Sequence, residues 1–329
     1  MKKIFGISGI FLVVFILTAL MSESFLTPYN LERLILRTSL FGIISIGVAF
    51  VIITSGIDLS IGSVICLIGC GLPWLLTKMS FSLPVTILTV LGCSLLIGWM
   101  HGLLITKLKL QPFVVTLCGL LMYRGITRGF TGDQTQGFGQ VFKDLRWYGE
   151  GRVAIPGISM ETFGIPVPFF ILLLVAVMAS IFLNRTIYGR YLMALGRNEQ
   201  AARYSGINTD RMIILAYVIC ATMAGLGGVL FILDVNSAQP VDMGNFYELY
   251  AIAAAVLGGC SLRGGQGTIL GVVIGAGLMQ VLRNMITLVD WIPTHIEYAV
   301  IGAVILVGVI ADEVVKRFAA ARRAAASKA

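Results

Sequence analysis

Chemistry has few places to come from in this chain of 329 residues. It carries two histidines, His101 within an apolar run and His295 beside a polar segment, and no acid or second histidine stands at helical spacing from His101. A zinc site needs three or four convergent donors, so His101 reads as a hydrogen-bonded bundle residue. No nucleophile is paired with a base, and no carboxylate pair sits inside the apolar runs to relay protons. There is no Gly-x-x-x-x-Gly-Lys-Ser/Thr, hence no phosphate loop. The six cysteines all lie in apolar runs without metal-ligand spacing and behave as small hydrophobes. Such a chain is poor material for an enzyme.

Three segments nevertheless break the apolar pattern. The first is Ser55-Gly56-Ile57-Asp58-Leu59-Ser60-Ile61-Gly62-Ser63, a glycine-flanked turn with an acid at its middle. An acid at the centre of a spanning helix costs about 2.5 to 3.5 kcal/mol, so Asp58 should sit at a helix end, pair or face water. Asp58 or Ser60 is placed to cap the helix that follows, and direct substrate contact is the competing role. The second, Leu257-Gly258-Gly259-Cys260-Ser261-Leu262-Arg263-Gly264-Gly265-Gln266-Gly267-Thr268, follows a short apolar run from Leu249 and suggests an incomplete crossing. Paired breaks mark pathways in transporters, where unwound backbone is tolerated against protein or a cavity. Glycine-rich turns at one membrane face fit the same residues equally. The third is the arginine-bearing loop 184–211. Its register predicts a short helix over Asn198 to Tyr204, capped by Asn198 and ended at Gly206. The small residues Ala201 and Ala202 would admit a partner surface, with Arg197, Glu199 and Arg203 fixing its register. A loop of this length exceeds what connectivity needs, although a solvated connecting helix is the plainer alternative.

The elements that must position these segments are apolar helices. Hydrophobic residues make up 57% of the chain and charged residues 12%, far from a soluble domain. Uncharged runs able to cross a core of about 30 Å occupy 4–21, 38–57, 59–77, 79–106, 162–184, 212–233 and 264–282. Shorter ones occupy 110–123, 249–262 and 298–311. Backbone satisfaction in lipid and the lack of strand alternation make them helices. The expectation is therefore an all-α, polytopic membrane bundle of about ten transmembrane helices, a single transmembrane domain over 1–329. The first run reads as an anchor, with a signal peptide as the alternative.

With a cytoplasmic N-terminus, cytoplasmic segments carry net charge +10 and external ones −2, the positive-inside pattern with both termini cytoplasmic. That asymmetry, with a basic tail from Lys316 to Ala329 suited to anionic headgroups, accounts for the basic character without nucleic acid. Residues 131–166 are expected as an external loop, glycine-rich rather than a folded domain. Arg37, Arg124, Arg128 and Arg283 fall near outer helix ends, where snorkelling is their default. The pairs Gly98/Gly102 and Gly271/Gly275, with Gly225-x-Gly227-Gly228, permit close helix packing within the bundle, or a dimer contact.

The stretch Gly56 to Ser63 resembles the Gly-Ile-Asp-Leu-Ser-Val-Gly-Ser signature of the membrane permease subunits of bacterial ABC sugar importers, the ribose, xylose, arabinose and galactose group. Ala194 to Asn198, continuing through Ser205-Gly206-Ile207, resembles that group's cytoplasmic coupling segment, and Val256 to Gly267 its third motif. Three matches in order, spanning about 38 to 311, are specific. Departures are Ser55 where glycine is frequent, Cys260 for threonine and Arg263 for a small residue. The resemblance implies two permease subunits, identical or related, two cytoplasmic ABC ATPase subunits and an external sugar-binding protein, in the bacterial inner membrane. ATP and Mg would be bound by the ATPase and no cofactor by this chain. By resemblance, Gly196, Arg197, Asn198, Glu199, Ala201, Ala202, Arg203, Ser205 and Gly206 form the coupling segment. Gly56, Asp58, Ser60 and Gly62, with Gly258, Gly259, Ser261, Gly264, Gly265 and Gly267, form pathway or helix-break motifs. The rival reading, an ion-gradient-driven secondary transporter of a small polar solute, predicts ionisable residues within the helices, and these are scarce. A membrane-embedded enzyme or scaffold predicts a catalytic constellation or no defined partner.

Overall fold

The computed structural model describes residues 2–154, 163–289, 293–303, 306–307 and 310. The basic tail, the middle of the 131–166 segment and part of the run 298–311 lie outside these. Helices α1 (Lys2–Met21), α2 (Pro28–Ile53), α4 (Leu83–Lys107), α7 (Val167–Arg185), α10 (Thr209–Val235) and α12 (Ile269–Leu288) are the six among the described residues long and apolar enough to cross a membrane. Between them lie α3 (Ile61–Thr77), α5 (Pro112–Thr131) and α11 (Tyr247–Leu257). The architecture is a polytopic helix bundle. Its only described strands, β1 (Arg152–Ala154) and β2 (Gly164–Pro166), pair antiparallel.

α2 runs through the middle, 83% of its apolar window buried, whereas α1, α4 and α7 lie at the periphery with 11%, 28% and 22%. Peripheral side chains such as Phe5, Leu20, Leu88, Leu121 and Met178 are bare. An apolar surface of that extent demands a lipid solvent. α10 packs on three helices through three glycines. A side chain at Gly225 would meet Ser94 of α4, at Gly227 Ile44 of α2, and at Gly228 the Ile65 carbonyl of α3. Gly98 and Gly102 press on α10 at Tyr217 and Ile214, while Gly271 and Gly275 press on Gly258 and Ala254. These small residues close the chain's own bundle, as expected in lipid where close backbone approach drives association.

Charged residues shift several boundaries. α2 starts ten residues before the uncharged run, because Glu32, Arg33 and Arg37 are paired within the protein: Glu32 with Arg152 at 2.8 Å, and Asp234 with Arg33 at 3.1 Å and Arg37 at 3.5 Å. The expected glycine-rich external loop holds α6 (Lys143–Glu150) and the β1–β2 hairpin. Glu32 accepts from the Gly164 amide at 2.7 Å, and Gln136 and Ala238 exchange backbone bonds at 2.9 and 2.7 Å. The segment is thus docked on the bundle. The arginine-bearing segment is likewise no loop: α8 (Ile187–Arg197) precedes α9 (Glu199–Tyr204).

α11, at 11 residues, rises about 16 Å, roughly half of a hydrocarbon core. The irregular segment 236–246 precedes it, and its carbonyls, outside any helix, need donors. Arg124 of α5 supplies them, donating to Pro240 O at 3.1 Å and Met243 O at 2.6 Å. Arg124 is thereby engaged within the protein, and its three counterparts have carboxylate partners: Arg37 has Asp234, Arg283 has Glu297 at 2.7 Å and the exposed Arg128 has Asp133 at 2.7 Å.

Candidate functional site: the junction of three chain segments

α2 ends at Ile53, and 54–60 turns back into the protein before α3 begins. Ser55 takes φ +64, a left-handed conformation strained for any residue with a Cβ. The single proton of its hydroxyl lies between two acceptors, Gly196 O at 3.2 Å and Arg263 O at 3.0 Å, and this shared hydrogen bond compensates. Beside it the Gly265 amide donates to Ile53 O at 2.8 Å. One serine and one amide thus tie the end of α2 to α8 and to the turn after α11. Glycine is required here: a Cβ at Gly196 would strike Ile53 O and the Gly265 amide, and one at Gly264 would strike Ser55 Oγ. Gly264 and Gly265 also have φ +80 and +67.

The glycine that the resemblance leads one to expect at position 55 would take this left-handed φ without strain. Ser55→Gly should relieve strain and lose the shared hydroxyl hydrogen bond, a net change within about 1 kcal/mol, whereas Ser55→Ala keeps the strain and loses the bond. Thermal melts in detergent should rank alanine below glycine; the reverse order would remove the compensation argument.

Asp58 is 1% exposed. Its Oδ1 accepts from the Ser60 amide at 2.9 Å and the Ser60 hydroxyl at 2.7 Å. Ser60 occupies the N-cap of α3 but makes no side-chain cap bond, and its φ and ψ are already helical. The expected capping by Asp58 or Ser60 is therefore replaced by a local turn held by the acid. Tyr217 of α10 donates to Ile57 O at 2.9 Å and packs on Gly56, fixing the same segment from the other side. Gly62 lies against Gly244 and the Glu248 carboxylate rather than in the junction.

The third motif divides similarly. Gly258 ends α11 against Gly271, Gly259 turns the chain at φ +91, and the Ser261 amide donates to Gln266 O at 3.0 Å. Gly267 packs on Ile53 and Cys260, and Thr268 caps α12 by accepting from the Gly271 amide at 3.2 Å. His101 meets Tyr123 Oη through Nε2 at 2.8 Å, a bundle hydrogen bond as expected.

In the segment expected to couple, Asn198 caps α9 by accepting from the Ala201 amide at 2.9 Å, and Gly206, at φ +82, ends it. Both were legible in the residue types. Ala202 was not correctly placed: it is 4% exposed and packed inward, so Ala201 is the small residue left on the surface. Arg203 is engaged within the chain, with Glu199 and Asp210 at 3.1 Å each and Thr209 at 2.7 Å. Lys107 joins the same carboxylate of Asp210 at 3.0 Å, tying α4 to this end of α10. The residue that reasoning from motifs passed over is Tyr204, 91% exposed at the end of α9. Arg197 and Arg190 line an adjoining cavity of about 370 Å³ with Asn184 and Met193.

The chain is a bundle of apolar helices, six of them among the described residues long and apolar enough to cross a membrane. The chain belongs to the family described as branched-chain amino acid transport system, permease component, whose model matches residues 30–309. It is a permease subunit rather than an enzyme. It is similar to the ribose import permease protein RbsC of Escherichia coli K12, with 36% identity over 92% of this chain and 91% of the relative. The ribose import permease protein RbsC of Bacillus subtilis 168 is 35% identical over 95% and 93%. The xylose transport system permease protein XylH of Escherichia coli K12 is 31% identical over 94% and 91%. No solved structure matches this chain.

Proposed function

We propose that this chain is the pathway-forming permease of an ATP-driven importer for a pentose or related monosaccharide in the bacterial inner membrane. It would work with cytoplasmic ABC ATPase subunits that bind ATP and Mg, an external sugar-binding protein and a second permease subunit. The named relatives carry ribose and xylose, which favours a sugar over the amino acids of the family description. In this reading the chain has about ten spans, with α8 and α9 cytoplasmic, both termini on that side, and α6 and the hairpin external. The excess of Lys and Arg on the α8–α9 side supports that orientation.

The observation that carries the proposal is the junction at Ser55. Movement imposed on α8 and α9 passes by direct hydrogen bonds to the end of α2 and the turn before α12. Differential binding of ATP to two states of the ATPase pair would drive that movement. Tyr204 is the anchor, since a bare aromatic beside small and charged residues has the character of an interface hot spot. Tyr204→Ala should weaken ATPase association about thirtyfold, the equivalent of about 2 kcal/mol, with Tyr204→Phe close to wild type.

Co-purification from native membrane in mild detergent is the direct test. Recovery of an ATPase stimulated by sugar-loaded binding protein establishes the importer. A chain that purifies alone, yet takes up solute on an ion gradient in liposomes, would establish the secondary transporter instead.

A further inference from the structure

Two hollows of opposite character adjoin at the C-terminal end of α7. An apolar groove of about 350 Å³ runs between α7 and α12, its walls including Leu173, Ala176, Val177, Ile269 and Leu270. Ser180 is the last α7 residue of that wall, and its Oγ accepts from Asn184 Nδ2 at 3.2 Å. Asn184 in turn lines the cavity of about 370 Å³ whose other walls include Arg190, Met193 and Arg197 of α8. The opposite walls meet as well: Arg197 lies against Gly265, just before α12 opens at Ile269. An apolar trough thus leads into a cationic pocket.

Charge sets the ligand class. Arg33, Arg37, Arg128, Arg203 and Arg283 each face a carboxylate, whereas the guanidiniums of Arg190 and Arg197 have no hydrogen-bond or ion-pair partner among the described residues. Planar guanidinium forks match the oxygens of a phosphate. The depth is that of the headgroups: Ile187, Tyr188 and Tyr191 of α8 are exposed, Tyr188 stacks on Phe182 with ring centres 6.2 Å apart, and such amphipathic rings collect at the membrane surface. Val177 of the groove wall and its neighbours Met178 and Ile181 are bare, so the groove faces acyl chains rather than water.

We propose that the paired hollows bind one anionic phospholipid, its phosphodiester held by Arg190 and Arg197 and an acyl chain laid along α7 in the groove. The bound lipid would brace α8 against α7 and α12 beside the Ser55 junction. The assignment goes beyond the importer reading and needs only that α7 crosses the bilayer.

The test uses the full-length chain purified in a neutral detergent and titrated, under native mass spectrometry, with dioleoyl phosphatidylglycerol, dioleoyl phosphatidylcholine or glycerol phosphate. Phosphatidylglycerol should bind at least about tenfold more tightly than phosphatidylcholine, and glycerol phosphate, which has no chains, should not displace it at equal concentration. Arg190→Gln combined with Arg197→Gln should remove that preference. Val177→Trp, which fills the groove, should weaken both lipids about threefold or more. All three positions are exposed, so the variants should melt like wild type without added lipid. Equal affinity for the two lipids, or Val177→Trp without effect, would overturn the site. A preference that survives the double glutamine variant while ATPase recovery falls would assign the arginines to the protein partner and overturn it too. Displacement by glycerol phosphate would make the cavity a pocket for free phosphates and overturn the lipid.

Discussion

A Gly196→Val protein should insert in the membrane, melt several degrees below wild type and lose at least about nine-tenths of ATP-driven uptake. The Cβ at this position falls on the Ile53 carbonyl and the Gly265 amide, backbone atoms that no rotamer change can move aside. Overpacking of this kind costs about 1 to 3 kcal/mol even where side chains can yield. Relief requires parting α8 from the end of α2, which breaks the Ser55 bond to Gly196 O and strains the Gly265 bond to Ile53 O. Each such bond contributes about 1 kcal/mol net. The transmembrane helices do not depend on this contact, so the lesion should appear in coupling more than in insertion. Melting and uptake like wild type would show that the junction neither holds nor transmits anything.

The helices were legible because a bilayer asks little of a sequence beyond length and apolarity. Where charge entered a helix, the boundary was misread. α2 reaches back to Pro28 through Glu32, Arg33 and Arg37, and α5 runs on to Thr131 through Arg124 and Arg128. Each of those residues is paired with a partner distant in sequence or folded back locally, and an uncharged-run criterion sees neither. α8 was missed for a related reason: its tyrosines and arginines look like loop composition, yet Leu192 and Leu195 bury one face. In the site, Asn198 and Gly206 could be read because a cap and a left-handed stop are local chemistry. The junction could not, since it joins Ser55 to partners 141 and 208 residues away. The Ser55 departure was visible, but only its φ gives it a meaning. Ala202 and Tyr204 show the same limit on a smaller scale: one turn of α9 decides which is buried, and composition assigns the small residue to the partner and ignores the aromatic.

Asp58→Ala should abolish transport and lower the melting temperature, whereas Asp58→Asn should keep uptake within about threefold of wild type. Asp58 sits in the unwound stretch between α2 and α3, where its Oδ1 accepts two hydrogen bonds from Ser60. Alanine leaves that amide and that hydroxyl buried and unpaired, at about 1 to 3 kcal/mol for each group. The consequence reaches the start of α3, because the Ser60 carbonyl accepts from Ser63 Oγ at 2.7 Å and Gly62 is in backbone contact with Gly244. A shifted Ser60 therefore moves α3 against the segment leading into α11. Asparagine retains the carbonyl oxygen at the same place, so it preserves the turn while removing the charge. The pair of variants separates geometry from charge: uptake and melting together distinguish a folding lesion from a functional one. An Asp58→Asn protein that melts like wild type but transports nothing would mean that the carboxylate's charge, not its hydrogen bonding, is what transport uses.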